Sequence, residues 1–329
     1  MDRVIVTIGL CVKNAEKTLK RTLESIVSQN FPEKNIEIIF VDGNSRDKTL
    51  EIINNFIRCS KIKASVFSDG GRGLGTARQK VLDHAKGTYI LWIDGDVILA
   101  DDFLKRQLIF MRFMRKRSPI GLVRGKGEYI ETGRLISDVQ NLLFTALDIV
   151  YFGATISITN MLKQVGGFDK RIVGAAEDVD ILTRLNLSGW QLAINKKAKF
   201  SHISRHTLKD IFREYSWYGY GDHFLYHKYE GLIKIPYRLF PIYFGWGVKV
   251  SRKAYKEYCL RKAFLIPFLC FFISVCWFLG FLRGHIHGYG HAIKKPEIRK
   301  EALIVARRLS RLTKDMKSAQ VLTMKDDLN

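Results

Sequence analysis

Asp94, Gly95 and Asp96 stand at the end of an apolar run, Thr88-Tyr89-Ile90-Leu91-Trp92-Ile93. The run is continuously apolar after its first residue and reads as a buried strand. Two carboxylates one residue apart repel each other unless a cation or cationic ligand lies between them. Open α/β sheets bind ligands beyond the carboxyl ends of their strands. A hard divalent ion bridging two phosphates meets that need, because magnesium typically takes one or two carboxylates together with substrate phosphates. The same spacing also occurs in solvated turns. The pair alone leaves both readings open.

The elements that must position this pair alternate in kind. Residues 4–12 form an apolar strand ending at Lys13-Asn14. A helical pattern follows, with apolar positions at Leu19, Leu23, Ile26 and Val27. A second strand, Ile36 to Val41, ends in Asp42-Gly43-Asn44-Ser45-Arg46-Asp47, and a helix runs on through Ile52, Ile53 and Phe56. A third strand, Ala64 to Phe67, leads into Ser68-Asp69 and the cluster Gly70-Gly71-Arg72-Gly73-Leu74-Gly75. A helix around Ala77 to Ala85 returns to the acidic strand. This alternation predicts an α/β fold with a mostly parallel central sheet, right-handed crossovers and polar residues delivered to one edge. The glycine cluster fits neither a dinucleotide fingerprint nor a P-loop by spacing. It predicts close backbone approach at a turn.

The ordered set of motifs resembles a family 2 inverting glycosyltransferase with the GT-A fold. The matching stretches are Thr7 to Asn14, Leu23 to Gln29, Val41 to Thr49, Gly75-Thr76-Ala77-Arg78-Gln79 and Asp94-Gly95-Asp96. Val165-Gly166-Gly167-Phe168-Asp169 and Ala176-Glu177-Asp178-Val179-Asp180-Ile181 complete the series, which spans roughly residues 4–205. Gln79 departs from the family pattern, where an Asn usually follows the Arg.

The resemblance assigns roles. Asp42, Asp69, Arg78, Asp94, Thr7 and Asn14 fall on the nucleotide-sugar side. A carboxylate such as Asp42 accepts hydrogen bonds from a ribose diol or a base N–H; the alternative is an Asx-turn before Gly43. Asp69 has the same two readings. Arg78 pairs either with the diphosphate or with an acidic neighbour. Asp96 is expected to ligate Mn²⁺ or Mg²⁺, with Asp94 touching the sugar, the ribose or the metal through water, and His202 is either a further ligand or a structural histidine. Asp178 resembles the base that deprotonates the acceptor, and Glu177 is the second choice. Val179, Ile181, Leu182 and Leu185 continue as a helix, whose N-terminus stabilises carboxylates and draws their pKa down unless burial opposes it. Arg205, Arg213, Trp217 and Tyr218 fall on the acceptor side, the arginines suited to a phosphate and the aromatics to stacking; the alternative is an amphipathic connecting helix.

The 329 residues suit a catalytic domain at 1–230 and a C-terminal region at 231–329. Fifty-four basic against 32 acidic residues give a net charge of +22, which implies a polyanionic partner. No zinc-finger spacing or RNA-recognition signature is present, so an anionic membrane is expected rather than nucleic acid. The five cysteines include no Cys-x-x-Cys pair and read as reduced thiols. Val4 to Val12 reads as a strand rather than a signal peptide, so the catalytic domain is expected on the cytoplasmic side of a membrane, where nucleotide sugars are available.

Residues 263–282 carry no charge and are rich in Phe, Leu and Ile. This stretch is long enough to cross a bilayer core of about 30 Å, although a re-entrant or in-plane arrangement also fits. Ile233 to Val250 is aromatic-rich with interspersed Lys234, Arg238 and Lys249, an interfacial pattern. His285, His287 and His291 lack acidic partners and read as an interfacial loop, while His223 and His227, four apart, lack the Glu of a zinc-protease motif. The expected protein is a membrane-associated, metal-dependent transferase using a nucleoside-diphosphate sugar and a polyprenyl-phosphate or lipid-linked saccharide acceptor. A processive polysaccharide synthase, disfavoured by the single apolar segment, and a non-catalytic basic membrane- or nucleic-acid-binding protein are the alternatives.

Overall fold

The computed structural model describes residues 4–147, 152–203 and 207–299. Four strands and three helices build the first half: β1 (Val6–Val12), α1 (Leu19–Val27), β2 (Ile36–Asp42), α2 (Thr49–Cys59), β3 (Lys63–Ser68), α3 (Leu74–His84) and β4 (Tyr89–Ile93). The next stretch holds β5 (Val97–Leu99), α4 (Phe103–Arg115), β6 (Ile120–Glu128), α5 (Leu135–Leu147), β7 (Thr155–Ile158), α6 (Thr159–Gln164), α7 (Glu177–Leu187) and β8 (Gln191–His202). Helices α8 (Leu208–Lys228), α9 (Ile235–Arg238), α10 (Ile242–Tyr258) and α11 (Ile266–Ile286) follow.

Among the described residues, eight strands join one sheet in the order β3-β2-β1-β4-β7-β6-β8-β5. Every residue of β2 and β4 is buried, as expected of parallel strands covered on both faces. In α1, Leu19, Leu23 and Ile26 face the core, but Val27 at the helix end is exposed, so the apolar face is one residue shorter than its spacing predicts. The sheet is also less parallel than predicted. Parallel pairing holds across β3-β2-β1-β4 and again between β6 and β8. The pairs β4–β7, β7–β6 and β8–β5 are antiparallel. The strand–helix alternation ends where Asp94-Gly95-Asp96 turns the chain straight from β4 into the short β5, without an intervening helix.

The register brings the parallel strands to a common edge. Val12 lies opposite Asp42, Asp42 opposite Ser68, and Leu10 opposite Ile93. The residues immediately beyond these positions are those the sequence singled out.

The expected boundary at 230 falls between α8 and α9, and an apolar core joins residues on both sides of it. Val139 and Leu142 of α5 and Ile211 and Tyr215 of α8 pack with Val250 of α10 and Ile266, Cys270 and Ile273 of α11. Helices α8 and α11 meet along glycines. A Cβ on Gly219 would lie 1.9 Å from the Trp277 carbonyl oxygen, and one on Gly280 would lie 1.9 Å from that of Ser216. Arg261–Ile286, which includes α11, is long and apolar enough to cross a membrane, and half of its apolar window is buried inside the protein. Phe264, Phe268, Phe271, Val275, Phe278, Leu282 and Ile286 remain exposed at helical spacing.

Candidate active site

Arg78 organises the site. Its place on α3 brings the guanidinium beneath the strand edge, over the rings of Trp92 and Phe152. Nε donates to Glu177 Oε1 at 2.7 Å, and Nη2 donates to Asp94 Oδ1 at 3.4 Å. Of the two readings for Arg78, the structure shows the acidic neighbours. This one cation joins the strand-end acids to the helix-end acids, which lie far apart in sequence.

Glu177 and Asp178 open α7, with Asp180 in the same first turn. Ala176, just before the helix, holds the left-handed conformation at φ 84°. That conformation costs a non-glycine residue roughly 1–2 kcal/mol and is maintained only by surrounding structure. Burial raises the Glu177 carboxyl to about 7, against the pull of Arg78. Burial also raises Asp178, with Arg78 opposing and the Asp94 charge adding to the rise. The helix N-terminus alone would have drawn both down, so desolvation wins. The two acids differ in engagement. Glu177 is buried against Arg78, whereas Asp178 is partly open and its Oδ1 accepts from the Val179 N–H at 2.7 Å.

Asp96 and His202 meet at the other side of the edge. The pairing of Val97 with His202 in β5 and β8 brings His202 Nε2 to 3.2 Å from Asp96 Oδ1. Gly95 is closely packed between the acids, since a Cβ there would lie 3.0 Å from Val12 Cγ1 and 3.2 Å from Ala15 Cβ. A carboxylate oxygen and an imidazole nitrogen this close form a donor pair that suits Mn²⁺.

The residues expected on the nucleotide side divide into two groups. Asp42 Oδ2 accepts from the Ser45 N–H at 3.1 Å, as an Asx-turn would have it. Its Oδ1 is buried without a hydrogen-bond partner among the described residues, which marks it for a donor from outside the chain. Asp69 is committed to its own turn, accepting from Gly71 N at 2.7 Å and Gly73 N at 3.1 Å. Asn14 clamps two loops: its Oδ1 accepts from Arg46 N and its own N–H donates to Ser45 Oγ, both at 2.9 Å. Thr7 is not brought to the site. It lies near the start of β1, at the opposite end of the sheet, fully buried, donating to Glu37 and accepting from Gly87 N. The reason is register, since only the carboxyl ends of these strands reach the edge.

Of the residues expected on the acceptor side, Trp217 and Tyr218 are part-exposed neighbours on α8, their ring centroids 5.8 Å apart. Tyr218 Oη donates to Glu214, and burial first, then the nearby acids including Asp178 and Asp94, hold its phenol well above the ordinary value. Arg213 is exposed on the same helix, and Arg205 lies outside the described residues.

Two contributors, Lys228 and Cys11, lacked a sequence signal, and a third, Gln79, was marked only as a departure from the family pattern. Lys228 at the end of α8 is buried and donates to Asp169 Oδ2 at 2.7 Å and Asp180 Oδ1 at 2.5 Å, tying two motifs together. Cys11 sits among Arg78, Asp94, Glu177 and Asp69, and burial pushes its thiol up to about 12. Gln79, the departure from the family pattern, accepts from Phe168 N at 2.6 Å and donates to Asp83, and so supports the Gly166-Gly167 turn.

Residues 7–154 match the model for Glycosyl transferase family 2. That match covers somewhat under half of the chain, and the fold around it is GT-A-like. Among its relatives, an uncharacterized glycosyltransferase of Haemophilus influenzae is 38% identical over 111 residues, covering 34% of this chain and 44% of that protein. A UDP-Glc:α-D-GlcNAc-diphosphoundecaprenol β-1,3-glucosyltransferase of Escherichia coli is 36% identical over 107 residues, covering 32% of this chain and 41% of that one. The chain therefore matches less than half the length of either. A mannosyltransferase from Pyrobaculum calidifontis, solved with GDP-Man and Mn²⁺, shares the fold with a TM-score of 0.57 at 16% identity, over 86% of this chain and 87% of that one.

Proposed function

We propose that this protein transfers a sugar, with inversion, from a nucleoside-diphosphate sugar to a hydroxyl of a lipid-linked acceptor at a membrane surface. The observation that carries this is the Arg78 bridge, which holds the acids at the end of β4 and those at the start of α7 in one site. Asp42, with its buried free oxygen, serves the nucleoside. Asp94 faces the donor beside Arg78.

Asp178 is the acceptor's base. It is the more open of the two acids, while Glu177 is engaged by Arg78 and keeps the guanidinium in place. In a direct displacement the acceptor oxygen bonds to the anomeric carbon as the bond to the diphosphate breaks, and the acceptor proton passes to the Asp178 carboxylate. A base raised above its ordinary value holds that proton better. Asp96 and His202 would hold a divalent cation, whose chemistry is to neutralise charge on the departing diphosphate.

The lipid-linked acceptor rests on the exposed apolar strip of α11 and the acceptor class in the name of the Escherichia coli relative. The strip continues through Phe240, which packs on Phe271 with centroids 5.2 Å apart, and through Phe244 against Phe268 at 5.9 Å. A hollow on neighbouring α10, lined by Lys249, Arg252, Lys253, Lys256 and one acid, Glu257, is basic on balance and suits anionic headgroups. Because half of the apolar window is buried in the protein, we read α11 as lying in the interface rather than spanning the bilayer, with the catalytic domain on the cytoplasmic side.

The test is incubation of purified protein with labelled UDP- and GDP-sugars, Mn²⁺ or Mg²⁺, and a membrane lipid extract. A labelled lipid product is expected. Absence of turnover with every donor, under both metals, would overturn the reading.

A further inference from the structure

The histidines that the sequence leaves as two unrelated groups come together in the fold. His223 and His227 lie one turn apart on α8, and His291 lies in the loop after α11. One ligand atom from each of the three lies within 4.8 Å of the others. The ring of His285, at the end of α11, is 5.2 Å from that of His291 and 5.6 Å from that of His223. We propose that His223, His227 and His291 form a zinc-type metal site that pins the loop after α11 to α8.

Two further observations point the same way. His223 Nδ1 lies 2.6 Å from the Tyr289 carbonyl oxygen. A carbonyl only accepts, so the proton is on Nδ1 and Nε2 is left as the ligating atom, the arrangement that backbone carbonyls impose on metal-bound histidines. His227 Nε2 is buried without a hydrogen-bond partner among the described residues. A buried polar atom of this kind calls for a partner from outside the chain.

The donor set selects the metal class. Neutral imidazoles suit zinc and its transition-metal neighbours, whereas Mg²⁺ and Ca²⁺ take oxygen ligands. Nitrogens bound to one tetrahedral zinc are about 3.3 Å apart, given bonds of about 2.0 Å, so closure requires shifts on the order of an ångström. His285 or water completes four ligands. The loop is shaped for the approach: Gly290 holds φ 95°, and a Cβ there would lie 3.2 Å from Phe224 Cα and 3.3 Å from His227 Cδ2.

The metal's effect would reach the active site through Tyr289. This residue stacks on Tyr220 with centroids 4.5 Å apart, and its hydroxyl accepts from the Val173 N–H at 2.8 Å. Val173 lies in the segment leading into Glu177 and Asp178. Fixing the loop therefore steadies the approach to the catalytic acids without contributing to the chemistry.

The experiment uses tag-free full-length protein, stripped with chelator, dialysed against zinc and assayed for bound metal. The variant D96N/H202Q removes the other donor pair, and it is expected to retain one zinc per chain. Adding H227Q and H291Q, with circular dichroism confirming the fold, is expected to abolish that zinc. Cobalt substitution of D96N/H202Q should give the intense visible absorption of four-coordinate Co²⁺, and zinc should raise its unfolding temperature. Absence of zinc from D96N/H202Q, or the same zinc content after H227Q and H291Q, would overturn the proposal.

Discussion

Arg78 Nε reaches Glu177 Oε1 at 2.7 Å, with both side chains about 95% or more buried. A buried cation between acids is a structural commitment as well as an electrostatic one, because removing it leaves uncompensated charge in low dielectric. Arg78→Met should therefore lower stability by about 3–5 kcal/mol, measured by urea unfolding, and abolish transfer. Adding Glu177→Gln should recover part of the stability and none of the activity. Additive losses in the double variant would show that the pair is not coupled.

Asp178→Asn keeps the size of the side chain and removes the proposed base. Loss of a positioned general base costs a factor of about 10²–10⁴ in rate, so kcat should fall in that range while donor affinity, read by calorimetry, stays unchanged. Burial raises the Asp178 carboxyl above its ordinary value. The base works deprotonated, so kcat/KM should rise with pH through that elevated pKa. Unaltered turnover in the variant would reassign the base.

Lys228 bridges Asp169 and Asp180, each of which also has an arginine partner, Arg171 and Arg184 respectively. Lys228→Met should cost about 1–3 kcal/mol by removing the ammonium from two carboxylates that keep only their arginine partners. Burial alone would raise the Asp169 carboxyl, but hydrogen bonds from Arg171 and Lys228 outweigh it and hold the group well below its ordinary value. A folded pKa below the unfolded one gives stability present above pH about 4 and lost as the pH falls further. Acid unfolding of wild type should show this loss, and Asp169→Asn should flatten it.

How much of this was legible beforehand follows from range. Asp42, Asp94, Asp96 and Glu177-Asp178 sit at strand or helix ends, and local pattern finds such places. The same reasoning misplaced Thr7, because a motif match says nothing about which end of a strand reaches the site. Lys228 and Cys11 carried no signal, since their importance comes from partners on remote elements. The antiparallel half of the sheet was equally hidden: apolar runs reveal strands but not the direction of their neighbours.

Phe268→Asp with Phe271→Asp should release the protein from anionic vesicles in a flotation assay while leaving soluble-acceptor turnover unchanged. Both rings are exposed on one face of α11, so the fold should tolerate the change. Vesicle binding equal to wild type would remove this face as the docking surface.

Gly280→Ala should be more damaging than its size suggests, because a Cβ at 280 would collide with the Ser216 carbonyl. Overpacking typically costs about 1–3 kcal/mol, and thermal unfolding would register it. The glycine seam between α8 and α11 leaves no room for sliding. On the proposed function, the helix bearing Trp217 and Tyr218 is thus a fixed-height gantry over whatever surface α11 rests on, and it would measure an acceptor by how far its reactive hydroxyl stands off that surface.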